Sequence, residues 1–197
     1  MVSLRLAITL FLIFTVVTAG CIGNGDIGTA IEKWNKVADK TQEIRSLEEQ
    51  FVKTVKVDNV AIESEIAKDT PNFDKLIPIL DKWKKTLDEE KMLLEEESSL
   101  ISDFAGSTIN LDGDAKIYGD STLKNVRESH RYATSSLDNY NRAIESLRLY
   151  YKTSDSSDDR YYRQYEQYLN AADSDAAKSG LYMDKTNDDM KKLEALQ

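Results

Sequence analysis

The stretch LKNVRESHRYATSSLDNYNRAIESLRLYY, residues 123–151, carries the strongest folding signal in the chain. Its core-type residues recur at alternating steps of three and four, which is the spacing of one face of an α-helix. The alternation is held for about four heptads, as in helices that pack along a seam. The seam consists of Leu123, Val126, His130, Ala133, Leu137, Tyr140, Ile144, Leu147 and Tyr151. Because such a face is buried only against other helices, partner helices are expected elsewhere in the chain.

Three other stretches show helical spacing. The first runs from about residue 29 to 68, the second from about 72 to 104, and the last begins after residues 153–158. Their faces comprise Ala30, Ile31, Trp34, Val37, Ile44, Leu47, Phe51, Val55, Ile62 and Ile66 in the first; Phe73, Leu76, Ile77, Leu80, Trp83, Leu87, Leu94, Ile101 and Phe104 in the second; and Tyr162, Tyr165, Leu169, Ala172, Ala176, Ser179, Met183, Thr186, Met190 and Leu193 in the last. Alternation with a period of two does not persist beyond a few residues, so strands are not expected.

Turn residues separate these stretches. Thr70-Pro71-Asn72 ends the first helix, because the residue before a proline disfavours helical backbone. Asp58-Asn59 could kink the first helix, and Pro78 could delay the start of the second. A loop rich in Gly, Asn, Asp and Ser is expected from Gly106 to about Asp120, with Gly106 as the helix stop.

The sequence therefore predicts an all-α protein, an antiparallel up-down four-helix bundle over residues 29–197. At about 1.5 Å per residue, helices of roughly 32–40 residues are about 50–60 Å long. Two other arrangements remain open. One is a pair of long hairpins that forms a bundle only by dimerising, and the other is a three-helix core with the first helix partly detached.

The N-terminus has the layout of a signal peptide. Arg5 precedes an apolar run from Leu6 to Ala19, and small residues follow before Cys21. As a helix this run would be roughly 21 Å long, whereas a bilayer core is about 30 Å thick. An uncleaved membrane anchor that extends to Ile22 is the alternative.

The tetrapeptide Thr18-Ala19-Gly20-Cys21 resembles the lipobox of prokaryotic lipoproteins, with Thr18 where an aliphatic residue is more usual. The resemblance implies cleavage before Cys21 and lipidation of its thiol, and two acyl chains on one residue would anchor a protein stably. Residues 1–20 are then the signal peptide and residues 21–28 a lipid-anchored tether, which places the bundle on the extracytoplasmic face of the cell membrane.

Composition excludes several classes of function. One Cys rules out an intramolecular disulfide framework and multi-Cys metal sites. The net charge of −9 speaks against nucleic-acid binding, which requires a basic patch. The sequence has no dinucleotide-binding, P-loop, serine-hydrolase or zinc-protease motif. We therefore expect neither an enzyme nor a cofactor.

Three polar features are interpreted as structural. His130 lies on the helix seam without a second His or a Glu-x-x-His motif, so a packed or edge histidine is expected rather than a metal ligand. Asn110-Leu-Asp112-Gly-Asp114 resembles the start of a calcium loop but lacks its Gly and Glu, so it is a solvated turn. The acidic run over residues 88–97 is a solvated helix face, with a docking surface for a basic partner as the alternative.

Tyrosines are the most informative feature. Six of them flank residues 153–158, where a helical hairpin brings them together at one end of the bundle. Tyr151, Tyr162 and Tyr165 occupy seam positions and should pack. The residues beside the seam or off it form a candidate surface for a protein partner or small ligand, because exposed Tyr and Arg are typical of interface hot spots. That surface comprises Tyr150, Tyr161, Tyr168, Arg160 and Arg163. The alternative is an aromatic plug that closes the bundle end.

The function predicted from these features is that of a non-enzymatic binding module of the cell envelope. Two alternatives remain. One is a ligand-sensing bundle, which resembles the periplasmic domains of chemoreceptors at the level of the fold alone. The other is a structural or dimerising envelope protein, for which a homodimer is the expected state.

Overall fold

A computed structural model describes residues 25–153 and 159–197 of the chain. The described part consists of helices and contains no strand. Its elements are α1 (Gly25–Ile66), a short 3-10 helix (Phe73–Lys75), α2 (Ile77–Thr108), α3 (Gly113–Thr153) and α4 (Arg160–Glu194). None of these helices is both long and apolar enough to cross a membrane.

The helices form an up-down four-helix bundle, which confirms the predicted fold. Helices α3 and α4 pack together most extensively, followed by α1 with α2 and by α2 with α3. Helices α1 and α4 approach each other only sparsely, so the seam between them is the most open of the four. Helix α1 is nevertheless part of the bundle, because it contributes buried residues from Ile27 to Ile62.

The core is divided into two apolar clusters along the bundle. The first core cluster is centred on Trp34 and Phe104, whose rings meet edge to face with centroids 5.7 Å apart. The second core cluster contains Phe51 and Trp83, with ring centroids 6.4 Å apart, and extends to Tyr151 and Tyr165. Each of the four α-helices contributes to both clusters. Two polar layers interrupt the core. One lies at the border between the two clusters, and the other lies within the second cluster.

The loop between α2 and α3 is shorter than the sequence predicts. Helix α2 continues through Gly106 to Thr108, and α3 already begins at Gly113, whose φ of 49° favours glycine. Tertiary packing explains the difference, since Gly119 is buried against Leu111. A Cβ added at Gly119 would lie 2.6 Å from Leu111 Cδ1, so the absence of a side chain permits this close approach.

The boundary between α1 and α2 also departs from the prediction. Helix α1 ends at Ile66, and a separate 3-10 turn precedes α2, which has Pro78 in its first turn. Helix α1 continues without interruption through Asp58-Asn59, where the sequence allows a kink. Asp58 Oδ2 accepts a hydrogen bond of 2.8 Å from Trp83 Nε1, which links α1 to α2.

The predicted signal peptide and Cys21 lie outside the described residues. The predicted tether over residues 21–28 overlaps the structure at its end, where residues 25–28 form the first turn of α1 and Ile27 is buried in the first core cluster. This burial explains why the helix begins four residues before the predicted start at Thr29.

Candidate functional site

The clustered tyrosines lie at the end of the bundle farthest from Gly25. We name this group the tyrosine tip, and it consists of Tyr150, Tyr151, Tyr161, Tyr162 and Tyr165 together with Phe73. Helix α1 runs the length of the bundle and has 42 residues. At about 1.5 Å per residue, the tip is therefore roughly 60 Å from the start of α1.

The inner rings of the tip pack against one another. Tyr151 stacks on Phe73 with ring centroids 5.4 Å apart, and Tyr150 lies 5.7 Å from Tyr151. Tyr150 also lies 5.5 Å from Tyr162, which in turn lies 5.7 Å from Tyr165. The sequence interpretation was correct for Tyr151 and Tyr165, which are buried, whereas Tyr162 is half-buried. This chain of contacts closes the end of the core.

Two buried hydroxyl groups in the tip have no hydrogen-bond partner among the described residues. They belong to Tyr151 and Tyr165. Burial raises the pKa of both phenols, with a smaller contribution from neighbouring tyrosines. Both groups are therefore neutral, and each is a hydrogen-bonding group that the fold leaves unused.

Of the residues predicted to bind a partner, Tyr161, Arg160 and Arg163 form the outer part of this end, whereas Tyr150 packs among the inner rings. Tyr150, Tyr161 and Tyr168 are half-buried, and Arg160 and Arg163 are exposed. The guanidinium carbon of Arg160 lies 4.8 Å from the Tyr161 ring centroid, within cation–π range. Tyr168 lies apart from them, with its ring 5.8 Å from the Arg142 guanidinium carbon.

The first of the two polar layers separates the core clusters, and we name it the polar waist. It consists of Thr41, Glu97 and His130 from three different helices. Thr41 Oγ1 donates a hydrogen bond of 2.6 Å to Glu97 Oε1, and His130 Nδ1 lies 2.8 Å from Glu97 Oε2. The Glu97 side chain is only 4% exposed and that of His130 is 20% exposed. His130 is thus a packed histidine, as predicted, with a carboxylate as its partner.

The second polar layer lies one heptad along α2 and contains an isolated carboxyl group. Glu90 is 8% exposed, and no hydrogen bond or ion pair joins it to any described residue. Burial raises its pKa well above the usual range, and the charge of Glu48 raises it further. Across the layer, Tyr140 Oη donates a hydrogen bond of 2.7 Å to Asp173 Oδ1. Burial raises the pKa of Tyr140, and the hydrogen bond to Asp173 and the charges of Asp173, Glu48 and Glu90 raise it further.

A shallow groove follows the open seam between α1 and α4. Its lining residues are Trp34, Ala38, Thr41, Gln42, Arg45, Met183 and Asn187. Thr41 connects the groove to the polar waist through its hydrogen bond to Glu97. Glu48, which is exposed, lies one helical turn beyond Arg45. The groove therefore adjoins the polar waist.

The sequence analysis missed the buried carboxyl groups. It assigned the acidic run over residues 88–97 to a solvated face, and this is wrong for Glu90 and Glu97. The signal was present in the heptad positions Leu76, Trp83, Glu90, Glu97 and Phe104, which follow one another at steps of seven. A pattern search that is restricted to apolar residues does not detect acidic residues at these core positions.

A metal site is not formed by the described residues, among which no group of three or more His, Cys, Asp or Glu is arranged to hold an ion. The segment that resembles a calcium loop is divided between the α2–α3 loop and α3, which begins at Gly113. Comparisons with protein-family models, with curated proteins and with solved structures return no match for this chain.

Proposed function

We propose that this protein is a lipoprotein held by a lipid on Cys21 at the extracytoplasmic face of the cell membrane. Its helical bundle would be a non-enzymatic binding module that presents the tyrosine tip to a protein partner. The observation that carries the proposal is the position of the tip, at the end of the bundle opposite the start of α1. A lipid four residues before Gly25 would leave the tip roughly 60 Å from the membrane.

The chemistry of the tip supports recognition of a protein. Tyr161 and Arg160 combine a large ring with a guanidinium group at 4.8 Å, and both residue types are enriched where interfaces bind most strongly. The inner tyrosines hold this surface rigidly, because Tyr150 and Tyr162 are packed on the core. A rigid surface loses little conformational entropy when a partner binds.

The lipid anchor is tested by the mass of the N-terminal peptide. Protein extracted from membranes of its source organism should begin at Cys21 with a lipid attached. An unmodified Cys21, or a peptide that continues upstream into residues 1–20, would contradict the anchor. This measurement is preferable to cell fractionation of a Cys21→Ser variant, because an uncleaved signal peptide would also hold that variant in the membrane.

The binding role of the tip is tested by photo-crosslinking in native membranes. A photoreactive residue replaces Arg163, which is exposed, and a matched control replaces Ile117, which is 63% exposed at the other end of the bundle. We expect a discrete protein adduct from position 163 that is absent from position 117 and is lost when Tyr161→Ala is added. An adduct of the chain with itself would favour the dimerising role, and identical patterns at both positions would contradict recognition by the tip.

A further inference from the structure

We propose that the groove between α1 and α4 binds the carboxylate group of a small aliphatic monocarboxylate, with Arg45 as its main partner. The groove is separate from Cys21 and from the tyrosine tip, so the site does not depend on the function proposed above. It would make the bundle a receptor for a small organic anion.

The first observation is a set of polar side chains in the groove that the fold leaves unused. Arg45, Gln42 and Asn187 line the groove, and their side chains form no hydrogen bond or ion pair with any described residue. They offer a guanidinium fork and two amide groups as N–H donors. A carboxylate matches this set, because its two oxygens accept two parallel bonds from a guanidinium group.

The second observation is the apolar part of the same groove. Trp34 and Ala38 are each 3% exposed and Met183 is 7% exposed, and all three belong to the lining. The space beside them has room for about one water-sized group. Because these side chains are already covered by the fold, little apolar area remains for a partner helix to bury. A short alkyl chain therefore suits the groove better than a protein surface does.

The packing of the helices places the groove where the bundle has the fewest contacts of its own. Helices α1 and α4 approach each other only sparsely, whereas α3 and α4 pack extensively. Arg45 and Gln42 lie on α1, and Asn187 and Met183 lie on α4. A ligand held by both sets would therefore join two helices that the fold itself joins weakly.

Neighbouring acidic groups limit the ligand to one negative charge. Thr41, which also lines the groove, donates a hydrogen bond of 2.6 Å to the buried Glu97 carboxylate. Glu48 is exposed one helical turn beyond Arg45 on α1. One guanidinium group flanked by two carboxylates favours a ligand with one negative charge, and a second charge on the ligand would be repelled. A monocarboxylate thus fits better than a dicarboxylate or a phosphate.

Ligand-observed NMR titration of the full chain with propionate and butyrate tests the proposal, with succinate, inorganic phosphate and n-butylamine as comparison ligands. We expect the monocarboxylates to bind with a dissociation constant of about 10 mM or lower. Arg45→Gln should weaken that binding at least about tenfold, because it removes a charge-assisted pair of donors. Arg127→Gln is the matched control, since Arg127 is exposed on α3 and is not part of the groove.

A second variant tests the groove from its other wall. Asn187→Leu removes an amide donor on α4 and fills part of the groove, so it should also weaken binding of the monocarboxylates. It keeps the test valid should Arg45→Gln fail to give a helical circular dichroism spectrum.

The outcomes separate the possibilities. Weaker binding in Arg45→Gln and in Asn187→Leu, with binding retained in Arg127→Gln, supports the site. The proposal is overturned by equal binding in the parent chain and Arg45→Gln, or by the absence of binding up to about 50 mM propionate and butyrate. Tighter binding of succinate, phosphate or n-butylamine than of the monocarboxylates would overturn it as well.

Discussion

Glu97 Oε2 lies 2.8 Å from His130 Nδ1, in the polar waist that separates the two core clusters. The other oxygen of the same carboxylate accepts a hydrogen bond of 2.6 Å from Thr41 Oγ1. One buried carboxylate therefore links α1, α2 and α3 at the level where apolar packing is interrupted. Polar residues in a bundle core can specify the register of the helices, because a shifted alignment leaves them unpaired.

Glu97→Ala should lower the free energy of unfolding by about 1–3 kcal/mol, because it removes the partner of the half-buried His130, whereas Thr41 Oγ1 retains the Val37 carbonyl oxygen as an acceptor. Glu96→Ala is the matched control, since Glu96 is exposed and pairs with Lys40 at 2.7 Å on the surface. That surface pair is worth about 0.2–1 kcal/mol. Urea denaturation of both variants measures the difference. If Glu97→Ala and Glu96→Ala lower the free energy of unfolding equally, the polar waist stabilises the bundle no more than a surface ion pair does.

Glu90 should make the bundle less stable as the pH rises. The pKa of Glu90 is raised well above its usual value, first by burial of its carboxyl group and then by the charge of Glu48. A group whose pKa is higher in the folded than in the unfolded state stabilises the fold fully when the pH is below its unfolded-state pKa. That stabilisation is lost as the pH rises through its folded-state pKa.

The unfolding free energy should therefore fall as the pH rises from about 4.5 through the raised pKa of Glu90, and Glu90→Gln should reduce the fall. Near pH 8 the variant should be more stable than the parent, whereas near pH 4 the two should be similar. Denaturant melts across this range measure the difference, with Glu89→Gln as the exposed control. A parallel pH dependence in the parent chain and Glu90→Gln would show that the Glu90 proton is not coupled to folding.

Asp58→Ala should destabilise the hairpin of α1 and α2. The 2.8 Å hydrogen bond from Trp83 Nε1 to Asp58 Oδ2 satisfies an indole N–H on a side chain that is 1% exposed. Leaving that donor unpaired costs about 1–3 kcal/mol. Because this cost arises from the unpaired indole N–H of Trp83, Asp58→Ala should lower the free energy of unfolding less in a chain that already carries Trp83→Phe. Additive losses in the double variant would indicate that Asp58 acts through its surface contact with Lys82 instead.

The sequence predicts the four-helix bundle because three- and four-residue spacing is a local property of each helix. Its failures lie where packing overrides local preference. Gly113 and Gly119 look like loop residues, yet Gly119 belongs to α3 because its missing side chain admits Leu111. Glu90 looks solvated within its acidic run, although it lies on the same seven-residue register as the buried Trp83 and Phe104. The tyrosine tip was predictable, since a hairpin necessarily joins residues on either side of its turn, but the unpaired hydroxyls were not.

Those hydroxyls give the last prediction. Tyr151 and Tyr165 are each 3% exposed, and their hydroxyl oxygens are buried without a described hydrogen-bond partner. An unsatisfied buried hydroxyl costs about 1–3 kcal/mol, so Tyr151→Phe and Tyr165→Phe should leave stability unchanged or raise it by about 1 kcal/mol. Tyr140→Phe is the contrasting variant, since it removes the 2.7 Å bond to Asp173 and should destabilise the bundle. Thermal melts measure the stability of all three variants. A loss of stability in Tyr151→Phe equal to that in Tyr140→Phe would show that the Tyr151 hydroxyl is hydrogen-bonded in solution, for example by a buried water.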